Sequence, residues 1–150
     1  SQWALRPDSA GPGRQRGGLG GLYELELLER SADVFLFGER GRYPPQGVAG
    51  GGPGAGNIFE YDNEDGKGTP PLTSKMTGLR IARGQRLRLE SPGGGGYGGA
   101  FERAVEFVAE DVRLGYVSRD AAKRDYGVAL DGEGAVDAAA TEKLRKAAAS

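Results

Sequence analysis

The stretch SPGGGGYGGAFERAVEFVAEDV, Ser91 to Val112, runs a cluster of glycines directly into residues with helical spacing. A glycine-rich loop that ends at a helix N-terminus can present backbone N–H groups to a phosphate. Gly93, Gly94, Gly95, Gly96 and Tyr97 are therefore candidates for an anion cradle. The details point both ways. A P-loop needs GxxxxGK[ST], and neither this run nor DGKGT at Asp65–Thr69 has the lysine and hydroxyl at that spacing. Glu102 and Glu106 would also repel an anion. The competing reading is a sharp turn that lets the backbone pass close to another segment.

A second stretch, RPDSAGPGRQRGGLGG from Arg6 to Gly21, mixes Arg6, Asp8, Ser9, Arg14 and Arg16 with glycines. Such a loop can offer guanidinium forks and backbone N–H groups to a carboxylate or phosphate. It can equally be a structural loop, with Asp8 capping nearby N–H groups and pairing with an arginine. Lys75, in PPLTSKMTGL, is a lone lysine in a loop. It is either a solvated side chain or a catalytic amine.

Composition removes several chemistries. The chain has no cysteine and no histidine. Disulfides, thiolate nucleophiles, His/Cys zinc sites and a Ser-His-Asp triad cannot be built from it alone. The missing cysteine fits a reducing cytoplasm. A net charge of −1 with mixed signs gives no electrostatic case for nucleic acid or an anionic membrane. No apolar run approaches the roughly 18 residues of a membrane span. The chain opens on Ser1 with a stretch that reads as the interior of something longer.

The elements that must position these groups divide in two. Residues 1–98 read as β-rich and glycine-looped, and residues 99–150 as helical with two or three helices. The whole is one α+β segment. In the first part, Tyr23, Leu25 and Leu27 alternate with polar residues as in a half-buried strand, although Leu and Glu would also suit a helix. Val34–Phe37 follows after RSAD, so the two are expected to pair as a hairpin. NIFEY reads as a strand, DNEDGKGTPP as turn residues throughout, and TGLRIARGQRLRLESP as two strands around Arg83–Gly84–Gln85. In the second part, Phe101, Val105, Val108 and Val112 form a helical stripe predicted to pack on the β half. Gly115 reads as that helix's stop. Ser118 and Gly127 bracket the next helix. Val128–Leu130 reads as a short strand, and DAAATEKLRKAAA as a last helix.

Glycine is the compositional outlier: 28 of 150 residues, about 19% against a usual value of about 7%. The glycines cluster at 17–21, 50–56 and 93–99 with no collagen period. A half so poor in side chains buries little apolar surface against its ordering entropy, so it is expected to pack against further protein.

Taken in order, LRPDSAGPGRQRGGLG, RYPPQGVAGGGPGAGN, SKMTGLRIARGQRLRLESPGGGGYG and EDVRLGYVSRDAAKRDYGVAL resemble the C-terminal part of the hydantoinase B/oxoprolinase family. The resemblance runs through VDAAATEKLR near the end. It implies a small subunit or C-terminal segment of a heteromeric enzyme that phosphorylates a carbonyl oxygen with ATP. The activated substrate is then hydrolysed, for a cyclic amide of the hydantoin or 5-oxoproline type, or carboxylated, for a ketone. It implies as partners a hydantoinase A-like ATPase subunit and the remainder of the hydantoinase B-like subunit. The family's carboxylases hold metal through histidines, and this chain has none. ATP and a divalent metal are therefore expected on partner chains, none being bound here. The alternative is a non-catalytic assembly module that buttresses the catalytic subunits. Either way the isolated chain is expected to be inactive, with the loops around Arg16, Lys75 and Gly93–Gly98 converging beside the partner.

Overall fold

A computed structural model describes residues 1–148. Seven strands precede three helices, in an α+β arrangement: β1 (Gln2–Leu5), β2 (Gly21–Glu26), β3 (Ser31–Phe37), β4 (Ile58–Asn63), β5 (Gly66–Gly68), β6 (Lys75–Ala82) and β7 (Arg86–Glu90), then α1 (Val105–Arg113), α2 (Arg119–Tyr126) and α3 (Ala138–Ala148). Ala149, the last residue of the final predicted helix, lies outside the described residues. No helix among those described is long and apolar enough to cross a membrane.

Five strands form one antiparallel sheet in the order β1-β2-β7-β4-β5, and β3 pairs with β6 in a separate ribbon. Period-2 alternation separates the sheet's two faces. Glu24, Arg88 and Glu60 stand opposite one another across β2, β7 and β4, as do Glu26 and Arg86 across β2 and β7. The other face carries Leu25, Leu87 and Tyr61 in register. The ribbon covers this apolar face. Leu36, Leu79, Ile81 and Leu87 are buried between the layers, with Leu25, Val34, Phe59 and Met76 packed around them.

The observed pairing corrects two expectations. RSAD is not a hairpin turn: Ser31–Asp33 already belong to β3, and β2 joins β1 and β7 while β3 crosses to β6. Likewise, the chain turns at Gly84 (φ +83°), but β6 and β7 enter different sheets. In both places burying the apolar face in a two-layer sandwich outweighs pairing with the sequence neighbour. Part of the predicted turn is also a short strand, since Gly66–Gly68 pairs with Tyr61–Asn63.

The helical unit has its own core, built on Val108, Val117, Ala121, Ala122, Tyr126 and Val128. This corrects the prediction that the α1 stripe packs on the β half: Val105, Val108 and Val112 pack within the helical unit. Phe101 is not on α1 at all. It sits in a 3₁₀ turn, Ala100–Glu102, and α1 begins at Val105. The helix ends were readable. Ser118 Oγ accepts the Ala121 N–H at the start of α2, and Gly127 closes it at φ +61°. Val128–Leu130 makes only one isolated bridge, Leu130 to Val136.

Candidate functional site

The glycine clusters meet between the two cores. Residues 9–20, 46–55 and 91–98 run side by side outside any sheet, joined by backbone hydrogen bonds. Gly93 N–H donates to Ala55 O (3.1 Å), Gly94 N–H to Gly18 O (2.9 Å) and Gly96 N–H to Gly52 O (2.9 Å). Gly11 N–H returns to Gly94 O (2.8 Å), and Gly52 N–H to Pro12 O (2.7 Å).

These threads have a period of three. A β-carbon built at Gly93 would strike Ser9, at Gly94 it would face Gly17–Gly18, at Gly95 it would strike Gln46, and at Gly96 it would strike Pro12. Residues 93 and 96 thus face one neighbour, while 94 and 95 face two others. Three residues per turn without internal hydrogen bonds is the geometry of a polyproline-II helix. At 93, 95 and 96 the obstacle is backbone carbonyl, so only an α-hydrogen fits, directed toward an oxygen as in a weak C–H···O contact.

In this geometry SPGGGGYGG makes close backbone approaches to neighbouring segments. The run leads through Gly99 into the 3₁₀ turn Ala100–Glu102, short of α1, and the N–H groups of Gly93, Gly94 and Gly96 donate to neighbouring threads. Tyr97 N–H goes to Gln15 O (2.9 Å), and Gly98 N–H to Val48 O (3.0 Å). The Tyr97 side chain is half exposed. The run packs against residues 9–12, 17–18 and 46–47, with Gly93 and Gly96 buried and Gly94 exposed.

The polar candidates fasten the web to its flanks. Arg6 Nε pairs with Glu90 Oε2 at 2.8 Å, both largely buried, and its Nη1 donates to Gly56 O (2.7 Å) and Ser91 O (3.1 Å). Asp8 takes a left-handed conformation (φ 56°), and its carboxylate accepts the Ser118 N–H at 2.7 Å. Ser9 is buried; its hydroxyl donates to Arg6 O (2.6 Å) and accepts from Gly20 N–H (2.8 Å). Arg16 forms a two-pronged pair with Asp111 on α1, at 3.1 Å and 3.2 Å, and Arg103 adds a third contact at 2.9 Å. The Arg16 guanidinium also lies over the Tyr116 ring, 5.5 Å from its centroid. Two arginines around one acid offset the buried carboxylate and leave the cluster net positive. Nearby, burial pushes the Tyr126 phenol up to about 12.

Lys75 stands apart. It is the first residue of β6, half exposed, and pairs with Glu39 at 3.1 Å. The structure therefore brings Arg16 and the 93–98 run together, through Gly17 against Gly94 and Gln15 against Tyr97, and seats Lys75 on the ribbon.

Sequence reasoning missed Asp111, Arg103, Glu90 and Asn57. Asp111 had a signal: it lies three residues after Val108, on the helix face that is buried. Glu90 and Asn57 had none, because their partners are remote in sequence. Asn57 is 4% exposed. Its Oδ1 accepts from Ser74 Oγ (2.7 Å), while its Nδ2 has no partner. It lines a groove of about 620 Å³ whose walls include Trp3, Tyr23, Phe37 and Phe59.

Among the described residues no group of three or more carboxylates is placed to hold a metal ion.

Residues 1–100 match the model of the family described as Hydantoinase B/oxoprolinase. The chain is 38% identical, over 97% of its length and 26% of the relative's, to the beta chain of the caprolactamase of Pseudomonas jessenii. A crystal structure of the ATP-dependent caprolactamase from that organism superposes with a TM-score of 0.83, at 35% identity over 97% of this chain and 25% of that one. The chain is 32% identical, over 97% of its length and 24% of the relative's, to a protein described as the B component of a D-/L-hydantoinase of Pseudomonas sp. strain NS671. An acetone carboxylase structure shares the fold at a TM-score of 0.81 and 20% identity, over 98% of this chain and 24% of that one. The chain spans about a quarter of the length of each of these relatives. With the glycine web, the two cores and these likenesses together, the chain belongs to the hydantoinase B/oxoprolinase family.

Proposed function

We propose that this chain is a segment of an ATP-dependent enzyme that opens a cyclic amide, and that its role there is to hold the assembly rather than to supply reacting groups. The likeness to the caprolactamase beta chain carries the first half. It extends over nearly the whole chain at 38% identity, whereas the ketone-carboxylating neighbour shares only the fold at 20%. An amide carbonyl is a poor electrophile, and transferring phosphate to its oxygen makes it a good one. In this reading the ATP, the divalent metal and the phosphorylating machinery belong to a hydantoinase A-like partner and to the remainder of the hydantoinase B-like polypeptide. The assembly role rests on the web. Arg6, Asp8, Ser9 and Arg16 all close internal contacts, and the glycine N–H groups named above are engaged by neighbouring threads.

The test is to co-express the segment with its partner chains and assay the purified complex. ADP release and ring opening should depend on ε-caprolactam or a hydantoin and be indifferent to bicarbonate. Bicarbonate-dependent consumption of a ketone would place the protein with the carboxylases instead. The isolated chain should turn over no ATP. Within the complex, Arg16→Ala should lower the melting temperature by several degrees, since Asp111 loses its two-pronged partner at a cost of about 1–3 kcal/mol. Turnover per assembled complex should hold. A tenfold loss of turnover with an unchanged melting temperature would put Arg16 at the substrate.

A further inference from the structure

The ribbon covers only part of the sheet's apolar face. Trp3, Tyr23, Leu89 and Phe59 stand in register across β1, β2, β7 and β4. Leu89 and Phe59 pack against the core beneath β3 and β6. Trp3 and Tyr23 stay 73% and 40% exposed, facing the groove whose opposite wall is Phe37, itself 69% exposed. Beyond that aromatic row the floor falls to Gly21, Ser91 and Asn57. Among the described residues no strand pairs with the outer edge of β1, so the groove is open on that side.

The lining and span of the groove identify what would fill it. The walls are aromatic and apolar, and such side chains are left in contact with water at a cost of about 25 cal/mol per Å². An apolar occupant would take that surface out of water. The groove crosses three interstrand spacings, about 14 Å, which an extended chain covers in four or five residues. The relatives are about four times as long as this chain, so three-quarters of such a polypeptide lies elsewhere and must meet this segment somewhere.

We infer that the Trp3–Tyr23–Phe37–Phe59 groove is the seat of an extended apolar segment from the remainder of the hydantoinase B-like polypeptide. The inference rests on the reading of this chain as part of a larger protein, but not on which ring that protein opens.

Photo-crosslinking in the assembled complex tests it. p-Benzoylphenylalanine replaces Trp3 or Phe37, with Tyr97 as a control position, and the adducts are mapped by mass spectrometry. Positions 3 and 37 should both label one apolar stretch of the hydantoinase B-like polypeptide outside residues 1–150, and position 97 should not. Adducts to a second copy of this segment, adducts only to the ATPase partner, or no adducts would each overturn the proposal. In parallel, the double substitution Trp3→Glu and Phe37→Glu should weaken assembly about thirtyfold, the loss expected for buried aromatic anchors. It should leave the melting temperature of the 150-residue chain within about 2 °C. A melting temperature that collapses would show that these side chains support the segment's own fold, and unchanged assembly would show that the groove is empty. Because ring opening is assayed separately, failure of the groove and failure of the proposed reaction give different results.

Discussion

In the helical unit Val108, Ala122 and Val128 are closed off from solvent by neighbouring side chains; in the web Gly93 is closed in by the backbone of Ser9. Both places are close-packed, but by opposite means. The valines contribute methyl groups taken out of water, about 1.5–3 kcal/mol for each complete burial. The glycines contribute the absence of a side chain, which lets carbonyl and N–H groups of separate threads come together. A side-chain core can shift and repack when volume changes. A backbone core has no rotamers to adjust, so its tolerance to added atoms should be far lower.

The comparison breaks most sharply at Gly93. Gly93→Ala adds one methyl group that would strike the Ser9 carbonyl, and the thread has neighbours on its other sides. Loss of cooperative unfolding, or destabilisation of about 4 kcal/mol or more, is expected in a denaturant melt. Val108→Ala, which removes two methyl groups from the helical core, should cost less, about 2 kcal/mol. If the order is reversed, the web is looser than described.

Alkali separates the two regions by another route. Burial holds the Tyr126 phenol neutral up to about 12, against an ordinary value of 10. Between those values the unfolded chain has released a proton that the folded chain retains. Stability is therefore fully present below pH 10 and falls as pH rises toward 12, by about 2–3 kcal/mol in all. Melts of the wild type and Tyr126→Phe should diverge across that window, with the variant lacking this part of the decline. Parallel curves would mean that the phenol titrates as it does in water.

The smallest effect is expected at Gly18, within the same threads. A β-carbon there meets nothing within 4 Å, and its backbone lies outside the left-handed region. Gly18→Ala should be neutral or stabilise by up to about 1 kcal/mol, through the unfolded state. A large loss at Gly18 would mean that the web rejects every substitution, not only those directed at a neighbouring thread.

These contrasts also mark what could be read from the residues. Ser118, Gly127 and Gly115 announced helix ends because caps are local, and the alternation in RLRLE announced β7 because it needs no partner to be visible. Pairing was hidden. Nothing in Tyr23–Leu27 says that its partner is Arg86–Glu90 and not the strand that follows it. The polar candidates were noticed for their types, and their contacts lay far along the chain: Arg6 with Glu90, Asp8 with Ser118, Arg16 with Asp111. The web was the least legible. Its pattern is written in which atoms are missing, and a run of glycines carries no phase that a hydrophobicity plot can show.

That phase has a consequence for the length of these loops. Each step along 93–96 turns the chain by a third of a revolution, so that 93 and 96 present hydrogens to one neighbour while 94 and 95 serve two others. Removing one residue would rotate every later position by a third of a turn, aiming the wrong hydrogen at each carbonyl and carrying Tyr97 away from Gln15 and Val48. Removing three would restore the order. In this part of the molecule, insertion and deletion are quantised, and the quantum is one turn of the thread.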